Sequence, residues 1–172
     1  MVTVSQATAM SDAFAVERGG GKVMKMRIFL NIAAVLFVMV FYNADASGGS
    51  FTDKGDDTVT DSDTGLMWQK EDDGVTRTWE SAITYCEGLS LGGYTDWRLP
   101  NIKELESITD DAKNSPAIDS TYFTNTNSSD YWSSPTTAES TSSAWHVNFY
   151  SGSISSSYKS GSYYVRCVRS GQ

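Results

Sequence analysis

The stretch "YTDWRLPNIKEL", residues 94–105, packs a Trp, an Arg and a Pro between a glycine pair and a short amphipathic run. Such density serves either chemistry or the start of a helix. Asn101 stands where an N-cap belongs, and Glu104 follows at the spacing from which a carboxylate reaches back in a capping box. Ile102, Leu105 and Ile108 then give an apolar stripe at helical spacing. Pro100 fixes its own φ and restricts Leu99 to an extended shape. Trp97 and Leu99 alternate with Arg98 on a short extended piece. The stretch therefore reads as an architectural staple ahead of a helix. The competing reading makes Asp96 and Arg98 a charged pair for catalysis.

A first helix is predicted upstream. Thr78 is its N-cap and Glu80 sits in the first turn, where the helix dipole favours an acid. Trp79, Ala82, Ile83, Cys86 and Leu89 share one face, so Cys86 points inward, and Gly92-Gly93 is expected to end the helix. Before it, residues 51–69 read as a hairpin. Thr58-Val59-Thr60 and Leu66-Met67-Trp68 have β character, and Lys54-Gly55-Asp56 and Asp63-Thr64-Gly65 have turn chemistry. The aspartates there do not make an EF-hand. Counted from Asp61, the fifth residue is Gly65 and the sixth Leu66, where a ligand and then a Gly are required. Solvated turns are expected, with no metal and no cofactor.

Downstream, residues 114–129 are polar and turn-rich, with Ile118, Tyr122 and Phe123 as packing points. Then strands return. "DYWSSP" is expected to stop at Pro135. "SAWHVNFYSG" alternates, with Trp145, Val147 and Phe149 on one face and His146, Asn148 and Tyr150 on the other. "SISSSYKSG" follows Gly152, and "YYVRCVRS" closes the chain with Tyr163, Val165 and Cys167 opposite Tyr164, Arg166 and Val168. The order β, β, α, α and then antiparallel strands predicts an α+β domain.

Met24-Lys25-Met26-Arg27 followed by the apolar run 28–42 and by Ala44-Asp45-Ala46 has the layout of a secretory signal peptide over residues 24–46. The run is shorter than the roughly 20 apolar residues of a membrane span, so no stable membrane anchor is expected after cleavage. Residues 1–23 read as a non-structural extension or a mis-set start. That leaves one domain over residues 47–172, exported to the periplasm or beyond, with nine basic against eighteen acidic side chains and a net charge of −9. Such a balance discourages nucleic acid and anionic membranes as partners. Cys86 and Cys167 are the sole cysteines, and an even pair in an exported chain points to one bridge, two buried free thiols being the alternative.

The runs "TGLMWQ", with Trp68, "DWRLPNIKEL", "YWSSP", "AWHVNF", with Trp145, and "YYVRCVRSG" occur in that order around the helix that carries Tyr85-Cys86. This series resembles the C-terminal domain family of Legionella collagen-like protein, over essentially residues 51–172. The resemblance implies a C-type-lectin-like fold, related also to formylglycine-generating enzymes, and an adhesin module that binds sulfated glycans. Two departures stand beside it. No Gly-x-y repeat is present, and the negative charge disfavours a polyanionic sugar.

Residues 121–164 are rich in Ser, Thr, Asn, Tyr and Trp, a composition that combines rigid aromatic contacts with adaptable hydrogen bonds. Tyr131, Trp132, Tyr150, Tyr158 and Tyr164, with His146 and Asn148 beside them, are the candidate binding residues for a glycan or a protein surface. The competing reading is a Ser-rich sheet whose aromatics pack. An enzyme is not expected: His146 is the one His, and no HExxH, P-loop or Ser-His-Asp context is visible. An envelope assembly subunit is the other alternative, and no oligomeric state follows from the sequence.

Overall fold

A computed structural model describes residues 50–171; the expected leader, 24–46, and the extension before it lie outside them. Nine elements follow in order: β1 (Phe51–Asp53), β2 (Thr58–Asp61), β3 (Leu66–Gln69), α1 (Trp79–Glu87), α2 (Ile102–Ser107), β4 (Asp130–Thr136), β5 (Ser143–Asn148), β6 (Ser153–Tyr158) and β7 (Val168–Ser170). They form two antiparallel sheets, ordered β1-β2-β3-β7 and β4-β5-β6. The α+β class is as expected. The hairpin is a three-stranded meander, because Phe51 to Asp53 adds a strand against Val59 to Asp61.

The capping box forms in full. Asn101 Oδ1 accepts from the Lys103 and Glu104 amides at 2.9 Å each, and Glu104 Oε2 accepts from the Asn101 amide at 2.8 Å. The same carboxylate takes both terminal nitrogens of Arg98 at 2.7 Å. Asp96 is not Arg98's partner. It pairs with Arg169 of β7, at 2.7 and 3.1 Å, while the Arg169 guanidinium lies 3.8 Å over the Tyr94 ring. Trp97 and Leu99 are buried, and Arg98 and Val168 exchange backbone hydrogen bonds at 2.9 Å. Asp96, Arg98 and Glu104 are thus engaged in holding α2 or β7, and the staple reading holds.

Thr78 caps α1 through the Ser81 amide. The helix ends at Gly88, not at Gly92-Gly93, which instead turn the chain with φ of 59° and 80°. Its apolar face packs as the spacing predicted: Ala82 and Cys86 are buried, with Trp79, Ile83 and Leu89 beside them. Cys86 is bonded to Cys167, 81 residues on, with Cα atoms 5.5 Å apart.

Pro135 does not stop β4. The strand runs through it, because the register slips between Trp132 and Thr136, and a bulge is where a sheet tolerates a residue without an N–H. The bulge turns the Ser134 amide out to the Pro100 carbonyl at 2.8 Å. The closing strand is shorter than expected, since β7 begins only at Val168. Before it, Tyr163 bridges to Arg77 and Tyr164 runs parallel to Tyr131. Its predicted alternation is kept. Tyr163, Val165 and Cys167 enter one core cluster with Trp97, Leu99 and Trp132, and Tyr164 and Val168 enter the other with Trp68, Leu105 and Tyr131.

Two outcomes are expected from these ties. Replacing Cys86 and Cys167 together by Ala should lower unfolding free energy by about 2–5 kcal/mol, read by denaturant titration, and reductant should reproduce the loss in the native chain. The second concerns Glu104. Burial opposes its charge, but the Arg98 guanidinium and the Asn101 amide together hold its carboxyl below the usual range. A depressed carboxyl stabilises above its unfolded pKa, and that contribution disappears as pH falls through the folded value. Glu104→Gln should therefore flatten the acid limb of the stability profile below about pH 4.3, whereas Asn101→Ala should cost about 1 kcal/mol at every pH.

Candidate functional site

Of the seven candidate binding residues, the structure withdraws three from solvent. Tyr131 and Trp132 are fully buried and His146 is 5 % exposed. Successive residues of a strand face opposite ways, and β4 lies between the two core clusters, so Tyr131 enters one and Trp132 the other. Tyr164 is half-buried and stacked on Tyr131, with centroids 5.4 Å apart. Asn148 is half-buried and donates to Asp130 at 2.9 Å. Tyr150 and Tyr158 remain exposed, at 59 % and 71 %. They stand beyond one end of β6 and at the other, and six residues of strand span about 20 Å. The seven residues therefore do not converge.

His146 anchors an internal polar row across β4, β5 and β6. Its Nδ1 lies 3.2 Å from Asp130 Oδ1 without hydrogen-bond alignment, and its Nε2 lies 3.4 Å from Ser157 Oγ. Ser157 in turn accepts from the Tyr163 hydroxyl at 2.9 Å. The order Asp, His, Ser suggests a nucleophilic triad, but the surroundings do not serve one. Trp132 and Tyr163 cover the imidazole, with centroids at 6.1 and 5.0 Å, so a substrate has no approach to it. Burial pulls the His146 pKa down against the pull of Asp130, which leaves a neutral ring suited to a packed interior.

A second buried network was not visible in the sequence. Arg166 is fully buried and donates from Nη1 to the Gln69 and Lys70 carbonyls, the first at 2.8 Å, and from Nη2 to Thr126 Oγ1 at 2.8 Å. The same Nη2 lies 3.6 Å from Asp72, whose carboxylate also accepts from the Tyr131 hydroxyl. Burial pushes the Tyr131 phenol pKa up, which keeps it a donor. Above this network an open polar depression of about 480 Å³ is lined by Asp72, Asp73, Gly74 and residues 125–127. Its acids are already engaged: Asp72 by Tyr131 and the Gly74 amide, Asp73 by Arg77. Among the described residues, no group of three or more His, Cys, Asp or Glu converges to hold a metal. Nor is any helix among them long and apolar enough to cross a membrane.

The surface that does combine aromatic and hydroxyl groups lies at one end of the β5–β6 pair. The register sets Ser143 opposite Tyr158 and Trp145 opposite Ser156. These four side chains share one face, with Trp145 and Tyr158 as diagonal neighbours about 7–8 Å apart along the sheet. Val147 and Ile154 continue that face under α2 and are covered, whereas Tyr158 and Ser156 are exposed and Trp145 is half-buried. Of the five indoles, those of Trp79, Trp97 and Trp132 donate to carbonyls at 2.9–3.2 Å, and that of Trp68 is buried without a partner. Trp145 alone is left with an indole N–H that neither bonds among the described residues nor is buried. The β4–β5 loop borders this end with Thr137, Ser140 and Ser142. The period-2 alternation of "SAWHVNFY" already set Trp145 apart from His146. What it lacked was the partner strand that places Tyr158 beside the indole.

With this geometry in place, comparison with known proteins gives two findings. No curated protein sequence matches the chain. The family model of the Lcl C-terminal domain matches residues 57–169, from just before β2 into β7, and so takes in both helices, both cysteines and the Trp145 strand. The chain belongs to the Lcl C-terminal domain family.

Proposed function

We propose that the protein is an exported, non-catalytic binding module, adhesin-like in role, that takes a neutral glycan on the Trp145–Tyr158 face. The observation that carries this reading is the placement of two accessible aromatic side chains, a free indole N–H and the hydroxyls of Ser143 and Ser156 on one patch of sheet. An aromatic face covers the C–H side of a sugar ring, and neighbouring hydroxyls and the indole N–H fix its hydroxyl groups. The family supports an adhesin module, and two helices beside antiparallel sheets, closed by the last strand, support a C-type-lectin-like fold. The disulfide supports export, since such bonds persist in oxidising compartments.

Charge selects among sugars. Eighteen acids against nine bases over residues 47–172 repel sulfated and carboxylated polymers, so a neutral glycan is the better fit. A non-catalytic role is in keeping with a histidine enclosed by Trp132 and Tyr163 and carboxylates engaged by Arg and Tyr donors.

A glycan array on the exported chain, followed by calorimetry, tests the reading. Tyr158→Ala and Trp145→Ala should each weaken the selected glycan by about tenfold or more. Tyr158→Ala should leave unfolding free energy within about 0.5 kcal/mol of the parent, because the side chain is largely exposed. Raising salt should leave affinity nearly unchanged. Equal binding by parent and both variants, or a steep loss in salt, would overturn the proposal.

A further inference from the structure

The outer row of β6 has no partner among the described residues: the strand pairs with β5 alone and ends the sheet. Natural proteins usually protect such an edge with charge, proline or brevity. The other sheet follows that practice, since its edge strand β1 is three residues long and carries Asp53 in an ion pair with Lys70 at 2.7 Å. β6 does not follow it. It is six residues of Ser, Ile and Tyr, mostly exposed, inside a stretch of nineteen residues, 140–158, without a single Asp, Glu, Lys or Arg. No other uncharged stretch of this chain is as long.

We infer that β6 is a self-association edge, and that its occupant is β6 of a second copy of this chain, paired antiparallel about a two-fold axis. Electrostatics selects a second copy. Two domains of net charge −9 repel wherever their acids face each other, and β6 is a strand edge that carries no carboxylate of its own on either copy. Geometry agrees. An antiparallel pair is self-complementary, as an isologous contact must be, and a two-fold centred on Ser155, which opposes residues whose side chains share a face, sets Tyr158 of each copy against Gly152 of the other. That end of β6 adjoins the turn bearing Tyr150, so the two most exposed tyrosines are brought to the same junction. Two three-stranded sheets become one of six strands. The two-fold stands perpendicular to that sheet, so both copies present their Trp145 faces on the same side. The pairing itself does not depend on what that face binds.

Sedimentation equilibrium of the exported chain, without ligand, should give a mass rising from one chain to two with concentration. Amide exchange over residues 153–158 should slow over the same range. Ser155→Glu puts two carboxylates together at the two-fold and should abolish the two-chain species while leaving the disulfide and the circular dichroism intact. A one-chain mass at all concentrations with unchanged β6 exchange would overturn the inference. So would a two-chain species that survives Ser155→Glu with β6 still unprotected. Should that variant fail to fold, exchange in the native chain decides alone. Because no glycan is added, a failure here leaves the sugar-binding proposal standing, and a failure on the array leaves this one standing.

Discussion

The closing segment, residues 163–170, is the constraint on which the two sheets depend. Within eight residues it bridges Arg77, runs beside Tyr131 of β4, exchanges hydrogen bonds with Arg98 and pairs with β3. Its alternate side chains feed different cores, and Arg166 lies between them. A guanidinium in so dry a place is costly unless its donors are used. Here two carbonyls, a threonine hydroxyl and Asp72 receive them, which fixes the turn after β3 to the loop before β4. The Cys86–Cys167 bond then attaches α1 to the same segment one residue later.

That arrangement decides which aromatic side chains reach the surface. Because β4 is packed on both faces, its aromatics are consumed by the cores, and the hydroxyl and phenol of the His146 row are turned to internal use. The accessible aromatic side chains of the strands, Trp145 and Tyr158, stand at the end of β5 and β6 away from α2. The small hydroxylated side chains there leave the Trp145 and Tyr158 rings standing clear of their neighbours. Neither ring packs on another aromatic ring among the described residues.

Local rules carried much of this fold. Asn101 and Glu104 announce their capping box by spacing alone, Thr78 its cap, and the α1 face its burial, because each depends on residues within one or two turns. The alternation of residues 163–168 survives even though most of that segment is not regular strand. The failures are of another kind. Asp96 bonds to a residue 73 positions away, and Pro135 is accommodated by a bulge that only the β5 pairing creates. Tyr131 and Trp132 look like surface aromatics until both sides of β4 are filled. For the candidate site, composition marked residues 121–164 but could not say which tyrosine stands beside which tryptophan; that is a matter of strand register.

The closing segment also bears on the order of assembly. Its decisive contacts join residues nearly a hundred positions apart: Arg166 to Gln69 across 97 and Arg169 to Met67 across 102. Long closures carry their entropy cost before any contact repays it, and folding slows accordingly. The meander, the two helices and the late hairpins can each form from neighbouring residues, yet β3 lacks its outer partner and Cys86 its disulfide until residues 163–170 are in place. The domain therefore stays incomplete until residues 163–170 are placed, which makes this segment the latch that snaps it shut.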